Sequence, residues 1–362
     1  MASAVTAMID DSSAIYYNPA GIAQGRQIDA MIGDTLIIPS FQYKSPGGTK
    51  TSNAFEVIPP FQAYVAAGLL DDLSIGVGVF TPYGSTVNWP DNWVGKSLIV
   101  TSQLATYDIN PTIAYRFGPL RVGAGLQVER ATVDLKKKIE TNSQEASLEL
   151  GGDSWGVGAN VGAQVEAIKQ YLSVGVHYRS AVTLDFTGNA HFDNVPVELE
   201  STLHDQGVST RLTNPDSLAI GVASHPIPRL VVDAEIVWIG WSKLHSIDIN
   251  FPYDATGLLN STEPKNWNNT VNYRVGGEYA VNDAWSVRAG VLYDPTPSPA
   301  GTLLPDIPDA DRLNVALGAS FATPSGFRFE LGYQFLVLFK KTSTAPQLAG
   351  DYSGTVNLLG LS

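Results

Sequence analysis

The feature that most constrains the fold is a regular alternation of apolar and polar residues, which recurs in long segments along the whole chain. Between residues 312 and 322, for example, Leu313, Val315 and Leu317 alternate with polar or small residues. Side chains of a β-strand point alternately to its two faces, so each segment has one apolar face and one polar face. Soluble sheets alternate in the same way, but many of these segments reach about ten residues, the length that a strand needs to cross a bilayer. The pattern therefore favours a membrane-spanning β-barrel over a soluble sheet.

The predicted strands number about fourteen, and no amphipathic helical pattern of any length separates them. They are Gln27–Tyr43, Asn53–Leu69, Leu73–Tyr83, Thr101–Phe117, Leu120–Ile139, Asp153–Ala167, Tyr171–His191, Arg211–Ser224, Arg229–Phe251, Val271–Ala280, Trp285–Tyr293, Arg312–Ala322, Phe327–Lys341 and Ser353–Ser362. An even number of strands is usual for a single-chain outer-membrane barrel. The sequence thus predicts an all-β protein, a transmembrane antiparallel β-barrel of about 14 strands.

The connections between these strands alternate between short and long. Gly118-Pro119 is a short turn, whereas Thr141–Gly152 and Asp294–Asp311 are long connections. Outer-membrane barrels have tight turns at one end and long loops at the other, and aromatic girdles where the strands leave the bilayer. The aromatic residues near strand ends that we assign to such girdles are Tyr83, Tyr115, Phe117, Tyr171, Tyr178, Trp238, Trp241, Tyr279, Trp285 and Tyr293.

Composition excludes several classes of function. The net charge of −13, with no basic face, makes nucleic acid an unsuitable partner. The absence of cysteine excludes disulfides, thiolate catalysis and sulfur-rich metal sites. No glycine-rich phosphate loop precedes a helix, and we expect no cofactor and no resident metal. Asp306, Asp309 and Asp311 leave a loop calcium site open, although pairing with Arg312 is the simpler interpretation.

One hydrolase motif is present in the wrong context. Residues 152–156 satisfy the pattern G-x-S-x-G around Ser154. That motif needs a strand, a sharp turn and then a helix, but alternating valines and glycines predict that a strand follows Ser154. A soluble esterase is therefore a distant alternative, and we predict that the chain is not an enzyme.

The residues at the start of the chain are predicted to form a compact plug. Asp11 and the two following serines can cap one helical turn, which Pro19 ends by forcing Asn18 into an extended conformation. An ordinary capped turn at the start of a soluble domain is the alternative. The segment Asp10–Gly21 also resembles the signature of the FadL-type outer-membrane transporters (OMPP1/FadL/TodX), with the acidic pair, the double aromatic and Asn18-Pro19-Ala20 in order.

The resemblance extends over essentially the whole chain. Further runs in family order are Thr81–Gly84, Trp93–Lys96, Asp108–Pro111, Gly152–Gly156, Tyr178–Ser180, Asp185–Asn189, Trp238–Ser242, Pro297–Pro299 and Pro308–Arg312. It implies a monomeric barrel in the outer membrane of a Gram-negative cell, in contact with its lipid and lipopolysaccharide. It also implies an N-terminal hatch over residues 1–26 that plugs a barrel over residues 27–362, with both the start of the hatch and the last strand truncated.

The resemblance further implies passive uptake of long-chain fatty acids or other hydrophobic small molecules. Asn18, Pro19 and Ala20 would form the gating part of the hatch. Solute would leave sideways beside a kink in the third strand at Gly76 and Gly78, although these glycines could equally relieve crowding in the lumen. Apolar loop residues would capture the solute, with lipopolysaccharide contact as an alternative for some of them; they are Trp89, Trp93, Val94, Leu98, Leu258, Leu259, Leu303 and Leu304.

Two further expectations concern the lumen and the function. Charged residues on the inner face should pair across strands, because an isolated charge in a partly dry interior is unfavourable; they are Asp233, Glu235, Arg274, Glu278, Arg288, Arg312, Arg328 and Glu330. The alternative for these residues is that they anchor the hatch or bind a carboxylate head group. The alternative function is a structural or adhesive barrel with a fixed plug. The sequence does not choose between fatty acids, alkanes and aromatic hydrocarbons, because an apolar pocket discriminates by shape.

Overall fold

The structure, a computed structural model that describes residues 1–141, 144–254 and 259–362, consists mainly of β-strands. The strands are β1 (Ile28–Lys44), β2 (Lys50–Ser52), β3 (Phe61–Gly68), β4 (Leu73–Phe80), β5 (Gly84–Asn88), β6 (Thr101–Phe117), β7 (Leu120–Glu140), β8 (Glu145–Ile168), β9 (Leu172–Arg179), β10 (Val182–Asp193), β11 (Gln206–Asn214), β12 (Ser217–Ile227), β13 (Leu230–Ile239), β14 (Ser246–Asn250), β15 (Ser261–Pro264), β16 (Thr270–Ala280), β17 (Trp285–Asp294), β18 (Arg312–Ala322), β19 (Arg328–Ser343) and β20 (Gly350–Leu361). The helices are α1 (Ala14–Tyr17) and the 3-10 helices Pro19–Ile22, Val197–Leu199 and Trp241–Lys243. Within the described ranges, no helix has the length and hydrophobicity needed to span a membrane.

The strands form one closed antiparallel barrel with fourteen strand positions around its wall. β1 pairs with β20 from Asp34 opposite Leu361 to Lys44 opposite Asp351, so the two ends of the chain close the ring. Closure pairs the first strand with the last, so neither of them is left as a free sheet edge in lipid. The prediction of an all-β antiparallel barrel of about 14 strands is confirmed, and each predicted strand corresponds to one position in the wall.

Six of the fourteen positions contain two shorter strands in tandem. At the third position β4 and β5 both pair with β6, and Thr81–Tyr83 between them leave the ladder. At the eighth position β11 and β12 are separated by Pro215 and Asp216. Proline has no backbone N–H to donate to a ladder, so an interruption at Pro215 follows from its chemistry.

The predicted long connection Thr141–Gly152 is wrong for most of its length. β8 begins at Glu145 and pairs with β7 up to Glu140, so the two strands continue well above the rest of the wall. Leu148 and Leu150 face inward there and pack in an apolar cluster, which favours continued strand over loop. We refer to the end of the barrel that carries this extension as the upper end.

The two faces of the wall differ as the alternation predicts. On β18, Val315 and Leu317 are 44% and 58% exposed on the outer face, whereas Asn314 on the inner face is 7% exposed. Tyr83 and Trp241, which the sequence assigns to the girdle, are exceptions. Both lie at interruptions of the wall, and their rings contact each other at a centroid distance of 6.2 Å. That assignment is wrong for these two residues because an interrupted strand no longer fixes which face a side chain occupies.

The N-terminal segment (residues 1–26) contacts the inner face of the wall on several sides. Gln164 of β8 donates to the carbonyl of Ile9, Glu235 of β13 accepts from the backbone N–H of Thr6, and Arg274 of β16 donates to the carbonyl of Ser3. Most residues from Ala2 to Ala23 are buried or half-buried. These contacts are consistent with the predicted hatch; the domain boundary at residue 26 stays a prediction.

Candidate functional site

A cavity of about 160 Å³ lies in the lumen toward the upper end. Leu104 on β6, Leu135 on β7, Leu150 on β8, Phe186 on β10 and Leu212 on β11 all line it. The inner face of β7 shows how the sequence builds this cavity, because its inward residues change from polar ones below to apolar ones above. The sequence analysis missed the change, since it treated the inner face as uniformly polar. A cavity with mostly apolar walls and a few polar groups is the usual form of a small-molecule site.

Charged groups line the upper part of the same cavity. Lys137, Glu263 and Asp306 are among its lining residues. The Nζ atom of Lys265 lies 2.6 Å from Oδ2 of Asp306 and is also bonded to Glu263. Burial lowers the pKa of the Lys265 ammonium, but the two carboxylates more than offset this effect and raise the pKa above its ordinary value.

Lys137 differs from Lys265 in making no direct contact with a carboxylate, although the charge of Glu263 acts on it from a greater distance. Its side chain is half-buried, and within the described ranges it forms no hydrogen bond or ion pair. The neighbouring inward residue, Leu135, and the cross-strand Leu148 are apolar. A cation with an apolar surround is expected to favour a ligand with a negative charge next to a hydrocarbon part.

Side chains from interrupted positions of the wall contact one another in the lumen next to the cavity. The hydroxyl of Tyr83 donates to the carbonyl of Pro215 at 2.9 Å. The Tyr83 ring contacts Trp241, and Trp241 contacts Trp267 edge-on with ring centroids 5.0 Å apart. These side chains close the lumen below the apolar cavity.

A buried polar cluster lies at the same level, around Arg179. Its Nη1 atom is 2.9 Å from Oδ2 of Asp108 and also donates to Gln127. Its guanidinium lies over the rings of Tyr16 and Phe80, at 5.1 and 5.3 Å from their centroids. Arg179 therefore connects the N-terminal segment with the third and fourth positions of the wall. The sequence did not predict this cluster, although Asp108 and Arg179 both lie in runs that resemble the FadL-type family.

The predicted gating residues Asn18, Pro19 and Ala20 are all buried. The Asn18 amide donates to the carbonyls of Thr6 and Ala163, at 2.9 and 3.1 Å, and accepts from the N–H of Ala20 at 3.2 Å. Three hydrogen bonds from one side chain thus fold the segment and attach it to β8. Whether these residues gate a pathway stays a prediction.

Gly76 and Gly78, predicted to mark a kink, lie in a regularly paired part of β4. Both are in register with β3 and with β6. A Cβ atom at Gly76 would lie 2.9 Å from Cδ1 of Ile15, and one at Gly78 would lie 3.1 Å from Cγ2 of the same side chain. The glycines make room for Ile15 of the N-terminal segment, and the interruption of the third position begins only at Thr81. Their part in a lateral exit stays a prediction.

Three of the predicted capture residues are buried at the upper end. Trp89, Trp93 and Leu303 belong to one apolar cluster and are 3%, 4% and 0% exposed. The two indole rings stack with centroids 4.6 Å apart, and Nε1 of Trp89 donates to the carbonyl of Pro305. They hold the loops together over the barrel instead of forming an exposed patch.

The remaining capture residues are dispersed. Val94 is 64% exposed, and Leu98 lines the cavity. Leu259 packs against the apolar cluster around Leu148, and Leu304 is buried. Leu258 lies outside the described residues. Capture by these eight residues stays a prediction.

The acidic loop residues are engaged with protein groups. Asp306 pairs with Lys265, Asp309 lies 3.0 Å from Nη1 of Arg312, and Asp311 accepts from the N–H of Thr296. Within the described ranges, no group of three acidic or histidine residues has an arrangement that could hold a metal ion. Pairing with Arg312, the simpler interpretation, is what Asp309 shows.

The expected pairing of lumen charges is confirmed for Arg274, Arg288 and Arg312. It is not confirmed for Asp233 or for Arg328, whose side chain is exposed. Arg274 lies 3.2 Å from Glu235, and Arg288 lies 3.0 Å from Glu330 and is also bonded to Glu278. Asp233 is fully buried, and neither of its carboxylate oxygens has a partner within the described ranges that meets hydrogen-bond geometry.

The hydrolase alternative does not fit the local structure. Ser154 lies within β8, its hydroxyl-bearing side chain is 5% exposed, and its cross-strand partner is Ala131. The strand–turn–helix that a catalytic serine of this motif requires is absent at this position.

Comparisons with known proteins agree with this geometry. The sequence profile of the family described as outer membrane protein transport protein (OMPP1/FadL/TodX) matches residues 1–362. The chain is 23% identical to the long-chain fatty acid transport protein of Escherichia coli K12, over 91% of this chain and 83% of that protein.

Two solved structures are similar in fold. A Pseudomonas aeruginosa FadL homologue gives a TM-score of 0.85 at 20% identity, covering 99% of this chain and 95% of the other. The Pseudomonas putida toluene transporter TodX gives 0.76 at 17% identity, covering 100% and 97%.

Proposed function

Because the chain belongs to the OMPP1/FadL/TodX family of outer-membrane transport proteins, we propose that it takes up long-chain fatty acids by passive diffusion through its lumen. The protein is an outer-membrane β-barrel and a transporter of hydrophobic compounds, not an enzyme. Its similarity to a protein named for long-chain fatty acid transport and to a toluene transporter supports hydrophobic cargo. The lining of the cavity supports one of the two kinds of cargo over the other.

The observation that supports the choice is Lys137, which lines a mainly apolar cavity and forms no hydrogen bond or ion pair with the described residues. Apolar walls contribute about 0.8 kcal/mol for each buried methylene, for an alkane and a fatty acid alike. Only the fatty acid brings a carboxylate, which can form a charge-assisted hydrogen bond with the ammonium group. An aromatic hydrocarbon would leave Lys137 half-buried without a partner. Lys137 therefore favours a fatty acid with its head group toward the upper end and its tail toward the cavity floor.

The rest of the route follows from the same geometry. Solute would enter past the upper loops, bind in the cavity and leave sideways into the membrane at the interrupted third position. A lateral exit spares the hydrocarbon a second transfer through water. The interruption at Thr81–Tyr83, next to the glycines that accommodate Ile15, supports this part of the proposal.

Replacement of Lys137 by methionine tests the proposed substrate. We expect the affinity for palmitate to fall by roughly tenfold, the factor for one charged hydrogen bond, and the affinity for the alcohol of the same length to stay unchanged. Lys138→Met is the matched control, because Lys138 is the next residue on β7 and faces the other side of the wall. Equal effects of Lys137→Met on the acid and the alcohol would contradict the proposal.

The alternative, a structural barrel with a fixed plug, draws support from the hydrogen bonds that attach the N-terminal segment to β8 and β13. Uptake into liposomes distinguishes the two functions. A transporter is expected to carry fatty acid and to exclude a small sugar. Absence of any selective fatty-acid uptake would favour the structural role.

A further inference from the structure

The wall of the barrel is interrupted immediately below the cavity. β4 ends at Phe80, opposite Asp108, and β5 resumes at Gly84, opposite Ala105. Thr106, between these two rungs on β6, has no ladder partner on this side. Here the wall is closed by side chains and by an irregular backbone segment instead of by a continuous ladder of backbone hydrogen bonds.

Tyr83 is the residue of this gap that turns into the lumen. Its hydroxyl donates to the carbonyl of Pro215 at 2.9 Å, and its ring contacts Trp241. Pro215 lies at the eighth position of the wall and Tyr83 at the third. The side chain therefore links two parts of the wall that are five positions apart in a barrel of fourteen.

The backbone of Tyr83 is fixed by a single residue. The Thr106 hydroxyl oxygen accepts from the Tyr83 N–H at 3.0 Å, and the same hydroxyl donates to the Tyr83 carbonyl. Thr106 is fully buried. With the backbone held in this way, the freedom that remains at the gap is rotation of the Tyr83 side chain.

The Tyr83 bridge lies close to the lower part of the cavity. Leu104 and Leu212 line the cavity. Leu104 is two residues from Thr106, which bonds the Tyr83 backbone. Leu212 is two residues from Asn214, which directly precedes Pro215. Tyr83 therefore lies between this part of the cavity and the gap.

We propose that Tyr83 is the gate between the apolar cavity and the gap in the third position, held closed by its hydrogen bond to Pro215. Solute passes when the hydroxyl releases this carbonyl and the ring turns aside. The inference rests on the proposed transport function and adds to it the residue that controls the exit.

Tyr83→Phe tests the gate, because it removes the hydroxyl and keeps the ring. Fatty-acid flux into liposomes is expected to rise by about fivefold, the factor that corresponds to one neutral hydrogen bond, with palmitate affinity unchanged. Tyr178→Phe is the matched control, since the Tyr178 hydroxyl bonds Asp216, the residue next to Pro215, from the exposed face. Its flux should equal that of the wild type. Unchanged or slower flux through Tyr83→Phe, with affinity retained, would overturn the proposal.

A second measurement does not depend on transport. The chain has no cysteine, so Thr81→Cys places a single reactive thiol in the gap. Labelling of this thiol by a lipid-soluble maleimide in liposomes should become about fivefold faster when Tyr83→Phe is added. Equal labelling rates would refute the gate. If the wild-type barrel carried no fatty acid, the proposed function would fail, while the labelling rates would still decide whether Tyr83 closes the gap.

Discussion

At the scale of single residues, Asn18 has the clearest energetic role. Its amide makes three hydrogen bonds in a fully buried place, two within the N-terminal segment and one to Ala163 of the wall. Asn18→Ala removes all three bonds, and each buried group that is left unsatisfied costs about 1–3 kcal/mol. The Thr6 carbonyl still accepts from Gln164 at 3.2 Å. We expect the free energy of unfolding in lipid vesicles to fall by about 2–4 kcal/mol.

The same variant should also loosen the N-terminal segment, because one of the lost bonds attaches it to β8. Limited proteolysis of the folded barrel measures this directly, and cleavage within residues 1–26 should become faster. Asn189→Ala is the control, since Asn189 is exposed on β10. A variant of Asn18 that is as stable and as resistant to protease as the control would show that the segment is held by other contacts.

The sequence predicted the local conformation around Asn18 but not which side chains become buried in the lumen and the loops. The extended conformation of Asn18 before Pro19 and the short helix before it followed from local chemistry, which acts over a few residues. The burial of Trp89 and Trp93 was not predicted, since it depends on Tyr43 and Tyr352, which are distant in sequence. The position of Lys137 in the cavity was not predicted, because the basic run at residues 136–138 does not show which lysine faces the lumen.

At the scale of elements, the third position of the wall combines a regular lower strand with an interrupted upper part. The two explanations for Gly76 and Gly78, a kink or relief of crowding, make different predictions. Gly78→Val introduces atoms where a Cβ alone would lie 2.7 Å from the ring of Tyr64 and 3.1 Å from Ile15. Overpacking of this kind costs about 1–3 kcal/mol. We expect fatty-acid uptake to be lost while the barrel stays folded.

Ile15→Ala added to Gly78→Val separates the explanations. If the glycine makes room for the N-terminal segment, the smaller side chain removes one of the two clashes and uptake should recover at least in part. Strand flexibility at Gly78 would not be restored by a change in another element. Uptake assays of the single and double variants, with Ile15→Ala alone as control, measure the coupling. Absence of any recovery would favour the kink.

Element positions were more predictable than element continuity. The fourteen predicted strands match the wall because alternation is a property of each strand alone. The interruptions at Thr81–Tyr83 and at Pro215 were not predicted. Proline and aromatic residues occur in the predicted strands as well as in the predicted turns, so their presence does not identify a break in a strand. For the same reason Tyr83 and Trp241 were placed in the girdle, although they close the lumen.

At the scale of the whole molecule, the outer face of the wall contacts lipid, whereas the inner face lines a polar lumen. Exposed Val315 and Leu317 lie outside, and the buried Asn314 between them lies inside. A soluble protein with this many exposed apolar side chains would aggregate, whereas lipid contact makes the same surface stable. The polar lumen in turn accommodates the N-terminal segment and its hydrogen bonds.

This arrangement predicts how the position of a charge along the wall sets its effect on stability. Leu317 lies at the middle of β18 on the outer face, so Leu317→Arg should lower the free energy of unfolding in phospholipid vesicles by about 2–4 kcal/mol, the range for arginine at the bilayer midplane. Thr187 is also on the outer face, but on β10 in the upper extension, so Thr187→Arg should cost less than about 1 kcal/mol. Denaturant titrations of both variants, followed by tryptophan fluorescence, give the two values. If both substitutions had the same small effect, the outer face at Leu317 would be in water and the barrel would not span the membrane as we describe.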